Sequence, residues 1–332
     1  MRYAIRVLSI GLLSFVVLAL VVVSAGNEAA RAAGAVLYGV TGDGGTASES
    51  LFRIDHETAS TRLVSRLGNG GDGEEIAYNP RNDRLLHASG RVIGEDQILE
   101  WINPSSLSVT SIPVSGDQCD EVSALTYIGG GTFLAGTIDL ILCSITDEGV
   151  ITKVATLETE DVATGLAWVD GKLYATVWGT KTNLVTIDPK TGEITSETTI
   201  EVDADDYRFT ALTAHPCTGE LYAVMAVGST EIRTPTTRSL VTIDPESGRV
   251  TIIDDLGDSF AGLAFVSDSC EPEQARPNVG GAIGAIVLEA AQANRESDAV
   301  AVAPATSPPS SAAAPPLTVA PPSTGDGGLL FD

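Results

Sequence analysis

Five seven-residue windows of this chain, 69–75, 115–121, 158–164, 203–209 and 255–261, hold the side chains best placed to do chemistry. They contain Asp72, Glu74 and Glu75; Asp117, Asp120 and Glu121; Glu158, Glu160 and Asp161; Asp203, Asp205 and Asp206; and Asp255 and Asp258. These are 14 of the 36 acidic residues between positions 33 and 270, in 35 of 238 positions, so the carboxylates are concentrated rather than scattered. Arg208 is the one basic residue among them. Clustered carboxylates repel one another unless a cation neutralises them, and Ca²⁺ takes oxygen ligands from loops of this composition. Asp203-x-Asp205-Asp206 and Asp72-Gly-Glu-Glu75 are fragments of a calcium loop that lack its full ligand spacing. The candidate ligand-binding or metal residues are therefore Asp72, Glu74, Glu75, Asp120, Glu121, Glu160, Asp161, Asp205, Asp206 and Asp258. The competing reading is that Asp and Glu here serve turns and solubility in an acidic protein, and it accounts for most of the fourteen.

Other chemistry is thinly represented. His56, His87 and His215 occur singly at strand ends or turns, where packing or surface roles are the ordinary ones. Trp168 and Trp178 have the ring area to stack a sugar, although packing between sheets accounts for them equally well. Paired carboxylates suit glycoside hydrolysis, but the sequence offers many pairs and singles out none. There is no Gly-x-Ser-x-Gly elbow, no His-Glu-x-x-His and no phosphate loop. No catalytic residue is assigned.

The charge balance narrows the partners. With 44 Asp+Glu against 19 Lys+Arg, the formal net charge is −25, which excludes a protein that tracks nucleic-acid phosphates and argues against attraction to anionic lipid. Arg2 and Arg6 precede an apolar run from Val7 to Val23, followed by small residues at Ser24-Ala25 and Ala30-Arg31-Ala32. That order predicts a secretory signal peptide over 1–32, with an uncleaved anchor as the alternative and the only route to a membrane. The remainder is expected to be secreted, extracellular or associated with the cell surface, and monomeric.

The elements that must position the acidic windows emerge from repetition. Five segments open alike, at Leu37-Tyr-Gly-Val, Leu85-Leu-His-Ala, Phe133-Leu-Ala-Gly, Leu173-Tyr-Ala-Thr and Leu221-Tyr-Ala-Val, spaced by 48, 48, 40 and 48 residues. Each is followed by a second β-branched run, of which Leu184-Val-Thr-Ile-Asp and Leu240-Val-Thr-Ile-Asp continue into Pro189-Lys-Thr-Gly192 and Pro245-Glu-Ser-Gly248. Asp-Pro-x-Thr/Ser-Gly after an alternating run reads as strand and tight turn. A third run follows, and a fourth, small-residue run opens the next unit, as in Gly165-Leu-Ala-Trp and Gly262-Leu-Ala-Phe. Four short strands per 40–50 residues predict an all-β fold, a β-propeller of five four-stranded blades over 36–270. A sixth, degenerate blade is the alternative. The last inner strand, Gly262–Val266, has no successors and is expected to join the N-terminal blade and close the ring. The windows would then share one mouth of the central channel.

Four cysteines in an exported chain favour disulfides. Cys217 and Cys270 follow the inner strands of neighbouring blades, and Cys119 and Cys143 belong to one blade, so Cys217–Cys270 and Cys119–Cys143 are the expected pairs. After Cys270 the composition changes, and 271–332 reads as a Pro/Ala/Ser-rich disordered stalk or linker.

The Leu-Tyr-x-x … Leu-x-x-Ile-Asp-x-x-Thr-Gly … Gly-Leu-Ala rhythm resembles bacterial secreted propellers of the quinoprotein-like and YVTN-type superfamily, over about 235 residues. The resemblance implies the fold and leaves function open, because such folds host enzymes and binding modules alike. Members often have more blades, so no quinone site is carried over. Pro322-Ser-Thr-Gly325 is similar to the Leu-Pro-x-Thr-Gly sorting signal, but Pro321 stands where Leu is expected and no apolar helix or basic end follows. The leading expectation is a binding or scaffold module that contacts a protein, glycan or small molecule through an acidic channel mouth, with Ca²⁺ as the candidate cation and no other cofactor. The alternative is a metal-dependent hydrolase, lactonase or lyase working in the channel.

Overall fold

In the computed structural model of the protein the described residues are 34–267, except 43–44, 68–74, 90–96, 118, 120, 160–161, 179–181, 205–206 and 229–236. The expected signal peptide and tail lie outside them. The described residues form strands and no helix. Blade 1 takes β1 (Ala35–Thr41), β2 (Ser50–Ile54) and β3 (Thr61–Arg66). Blade 2 is β4 (Glu75–Asn79), β5 (Arg84–Ser89), β6 (Ile98–Ile102) and β7 (Val109–Ile112). After the two-residue β8 (Ser115–Gly116), blade 3 is β9 (Val122–Gly129), β10 (Thr132–Thr137), β11 (Ile141–Thr146) and β12 (Val150–Thr156). Blade 4 is β13 (Val162–Val169), β14 (Lys172–Trp178), β15 (Thr182–Ile187) and β16 (Ile194–Thr199). Blade 5 is β17 (Tyr207–Ala214), β18 (Leu221–Val227), β19 (Thr237–Ile243) and β20 (Val250–Asp255). The last strand, β21 (Phe260–Ser267), pairs with β1 from Ala35↔Ser267 to Thr41↔Phe260 and completes blade 1. The fold is a five-bladed β-propeller closed as the repeat order predicts. One departure is β8, which adds a fifth, parallel strand outside β12 because the connection leaving blade 2 runs along the next blade's outer edge.

The inner strands of each sheet are buried on both faces, so they are apolar in both registers rather than alternating, while the outer strands β3, β7, β16 and β20 are largely exposed. The core is five separate layers, one between each pair of neighbouring blades. The repeated leucine of Leu-Tyr packs toward the preceding blade: Leu173 joins Leu134 and Leu142 of blade 3, and Leu221 joins Leu184 of blade 4. The leucine of Gly-Leu-Ala does the same, as Leu166 and Leu212 show.

The glycine that ends the turn between third and fourth strands sets how closely blades approach. Gly149, Gly192 and Gly248 have φ of +82°, +75° and +71°, in the left-handed region that L side chains avoid. A Cβ at these positions would stand 2.4 Å from Pro113 O, 2.6 Å from Thr156 O and 2.1 Å from Thr199 O, all in the preceding blade's outer strand or just after it. The glycine carbonyls accept from Ser115 N, Glu158 N and Glu201 N of the connecting segments at 3.1, 3.2 and 3.4 Å. Ala59 and Leu107 hold the equivalent positions in blades 1 and 2 at φ +54° and +61°. Gly248→Ala is therefore expected to destabilise the protein by at least about 2 kcal/mol through strain and collision. Leu107→Gly, which relieves a left-handed side chain at the expense of chain entropy, should stay within about 1 kcal/mol of wild type. Urea unfolding midpoints of the two variants check the contrast.

Candidate functional site

The five inner strands run side by side in one direction, as their lateral contacts establish. Ser123 Oγ, second in β9, donates to Ala163 O, second in β13, at 2.8 Å. Thr210 Oγ1 in β17 donates to Phe260 O at the start of β21 at 2.9 Å. A Cβ on Gly165 of β13 would lie 2.5 Å from Leu212 N of β17, and one on Gly262 of β21 2.8 Å from Ile76 N of β4. This close approach requires the small residue that opens each Gly/Ala-Leu motif. It also brings the starts of β4, β9, β13, β17 and β21 to one mouth of the channel.

At that mouth four blades share a β-bulge. The register slips at Gly136/Thr137, Ala163/Gly165, Phe209/Ala211 and Val40/Thr41, leaving Ser123, Thr164, Thr210 and Ala261 unpaired at equivalent positions. Bulges re-aim side chains at the rims of closed sheets. These four residues are half-buried, and three of them carry hydroxyls. Thr164 Oγ1 turns back to Thr176 O and Thr176 Oγ1, at 3.3 Å each.

Of the predicted ligand residues, Asp72, Glu74, Asp120, Glu160, Asp161, Asp205 and Asp206 lie outside the described residues. Glu75 is the first residue of β4 and 4% exposed, at the position held elsewhere by Ala124, Gly165, Ala211 and Gly262. Glu121 is half-buried at φ +32°, and its carbonyl accepts from Ile138 N at 3.3 Å. Asp258 clamps the β1–β2 loop: its Oδ1 accepts from Thr46 N at 2.7 Å and Ser259 N at 2.8 Å, and its Oδ2 from Ala47 N at 3.2 Å. Of the other windowed acids, Asp117 Oδ2 accepts from Lys153 N at 3.0 Å and Asp255 Oδ1 from Ser239 Oγ at 2.8 Å. Glu158 and Asp203 are exposed. Among the described residues no three His, Cys, Asp or Glu side chains are grouped to hold a metal ion.

Two arrangements were not foreseen from sequence. The first is a basic pair at this mouth. Arg208 Cζ sits 5.6 Å from the Trp178 ring centroid, and Arg238 Nη1 donates to Thr210 Oγ1 at 3.1 Å and to Phe260 O. Burial, together with the Arg208 charge, pulls the Arg238 guanidinium down to about 10, against the pull of Asp258. The second is His87, fully buried in β5, whose Nδ1 lies 3.3 Å from Glu100 Oε2 in β6. The other blades place Gly39, Ala135, Ala175 and Ala223 where His87 stands, and Phe52, Cys143, Val185 and Val241 where Glu100 stands. Aligning the repeats by register, rather than reading each His alone, exposes this pair. Removing one partner of a buried pair costs about 3–5 kcal/mol, whereas apolar replacement of both is often neutral. His87→Ala alone should therefore be strongly destabilising, and His87→Ala with Glu100→Val close to wild type, as read by chemical denaturation.

The opposite mouth is held by turns in which a side chain accepts from backbone N–H groups two and three residues on. Asp55, Asn103 and Asp244 do so at 2.8–3.1 Å. Burial opposes ionisation of Asp55, yet the Glu57 and Thr58 N–H groups hold it below the usual carboxylate range. His215 does the same in the β17–β18 turn of blade 5, with Nδ1 accepting from Cys217 N at 3.2 Å and Thr218 N at 3.3 Å. Its ring packs against Phe265, centroids 4.9 Å apart, and lies 5.6 Å from His56. Burial, then the His56 charge, lowers the His215 pKa, against Glu220. A depressed histidine contributes stability that is present above its unfolded pKa of about 6.5 and is lost as pH falls below it. His215→Asn keeps the acceptor, as Asn103 shows, and should reduce the loss of thermal stability between pH 7.5 and pH 5 relative to wild type.

Cys119 and Cys143 form a disulfide with Cα atoms 6.6 Å apart, both buried in the layer between blades 2 and 3. Cys217 is disulfide-bonded, and Cys270, its expected partner, lies outside the described residues.

No protein-family model matches the chain, and no curated protein matches it. Among solved structures it is similar to a Kuenenia stuttgartiensis hydrazine synthase chain, at 12% sequence identity and a TM-score of 0.40, over 62% of this chain and 63% of that one. The match spans less than two thirds of that chain and carries no argument about function. The propeller stands on its own strand pairing.

Proposed function

We propose that this protein is an exported binding or scaffold module whose contact surface is the channel mouth where the inner strands begin. The observation that carries the reading is the bulge repeated at Ser123, Thr164, Thr210 and Ala261, which turns equivalent residues of four blades toward one rim. The acidic windows lead into those same strands, with Glu158 and Asp203 exposed. A propeller presents such a rim on a rigid ring, so ligand contacts from several blades need little reorganisation. Ca²⁺ held by loop carboxylates, among them Glu121 and Asp203, is the proposed neutralising ion. The Cys119–Cys143 disulfide fits an oxidising compartment, where such bonds persist. Membership of the quinoprotein-like or YVTN-type superfamily belongs to the same proposal and rests on the repeat rhythm alone.

Calorimetric titration of CaCl₂ into the exported chain tests the cation. Saturable heat at submillimolar Ca²⁺ is expected, weakened at least about tenfold by Glu121→Gln with Asp203→Asn. No saturable heat at millimolar Ca²⁺ removes the cation from the proposal.

A further inference from the structure

Four rings meet where blade 1 closes against blade 5, at the mouth opposite the proposed contact rim. His56 belongs to the β2–β3 turn and Phe265 to β21, both of blade 1, while His215 belongs to the β17–β18 turn and Tyr222 to β18, both of blade 5. The His56 ring centroid lies 5.6 Å from that of His215, 5.6 Å from Phe265 and 5.9 Å from Tyr222. Phe265 in turn lies 4.9 Å from His215 and 5.2 Å from Tyr222. Phe265 and Tyr222 are buried members of the apolar layer between these two blades, and the histidines are half-buried against them.

A neutral imidazole has one acceptor nitrogen, and His215 spends it on the turn, where Nδ1 accepts from Cys217 N and Thr218 N. Nε2 therefore carries the proton, and the ring has no lone pair left for a metal ion. A second proton must go to Nδ1, where its N–H would face two other N–H groups. Both turn bonds are then lost, and a charge appears beside His56. Blade 2 has Asn79-Pro80 where blade 5 has His215-Pro216, each 6 residues before the repeated leucine. Asn79 Oδ1 accepts from Arg81 N at 3.0 Å, and an amide oxygen gains no proton at ordinary pH. The acceptor in blade 5 can be switched off by acid, and the one in blade 2 cannot.

Carboxylates face the pair from both blades, and two of the three are engaged elsewhere. Asp55 Oδ1 accepts from Glu57 N and Thr58 N at 3.0 Å each, and Glu57 is exposed. Glu220 Oε2 accepts from the Tyr222 hydroxyl at 3.2 Å, and burial keeps that hydroxyl protonated. From β21 the contact is Phe265, which does not titrate, and Cys217 is disulfide-bonded. Glu220 favours a proton on His215, but burial and the His56 charge outweigh it.

We infer that His215 and His56 form a pH-operated latch on the closing seam of the ring: neutral, they hold the β17–β18 turn against β21, and protonated, they release it and uncover Phe265 and Tyr222. A histidine held below its free value stabilises the closed form above a pH of about 6.5, and that contribution is lost as the pH falls below it. The opening is confined to the seam, because the rings that hold it belong to blades 1 and 5 alone. The latch uses neither the contact rim nor Ca²⁺, so it stands or fails independently of the proposed function.

Hydrogen exchange of the exported chain at pH 7.5 and pH 5, read as protection factors so that the intrinsic effect of pH is removed, tests the latch. Peptides covering 213–224 and 258–267 should lose at least about tenfold in protection at pH 5, while peptides of blade 4, which contains no histidine, keep theirs. His215→Asn, which retains an acceptor, should keep the seam protected at pH 5. NMR titration of the imidazole resonances supplies a readout that does not depend on that variant's fold: His56→Gln should move the His215 midpoint upward. The inference is overturned if the seam loses no more protection than blade 4, if His215→Asn opens with acid as the wild type does, or if the His215 midpoint is unmoved in His56→Gln.

Discussion

The pairing of β21 with β1 is the contact on which the rest of the ring depends. It joins residues more than two hundred positions apart, from Ala35↔Ser267 to Thr41↔Phe260, and blade 1 has no inner strand without it. Closure also covers the inner edge that β1 would otherwise present. The seam is secured by more than the ladder. Phe260 packs edge-on to Phe52 with centroids 5.2 Å apart, Thr210 and Arg238 bond Phe260 O, and Asp258 fastens the β1–β2 loop. Interactions so distant in sequence reward the chain only after its loop-closure entropy has been met.

Within that ring, spacing between blades is governed by missing side chains. Gly165 and Gly262 let inner strands touch near the axis, and Gly149, Gly192 and Gly248 let outer turns accept the preceding blade's backbone. The sheets fan out from small inner residues to larger outer ones, and each gap fills with its own apolar layer. Glu75 stands where four other blades keep Gly or Ala, while His87 and Glu100 occupy positions that are apolar elsewhere. Blade 2 is therefore the blade whose packing is least interchangeable with the others.

The acidic character of the chain does not divide evenly between bulk and surface. Several windowed carboxylates have defined structural partners, as Asp117, Asp255 and Asp258 show, and these are held by backbone or hydroxyl donors rather than left to repel. Others, such as Glu158 and Asp203, are exposed.

Much of the architecture was legible in the residues. The Leu-Tyr, Ile-Asp-Pro-x-Thr-Gly and Gly-Leu-Ala repeats fixed blade number, strand order and closure, because each encodes a local event: a doubly buried strand, a left-handed turn, a close backbone approach. The Cys119–Cys143 bond followed from the same alignment. Of the candidate rim, the sequence marked where carboxylates concentrate and that Arg208 stands alone among them. It did not reveal that Asp258 serves a loop 211–212 residues away, that His87 meets Glu100, or that Arg208 and Arg238 share a row. Those relations depend on register and on the seam between blades, where one residue of slip moves a side chain to the other face, and only the folded ring settles which it is.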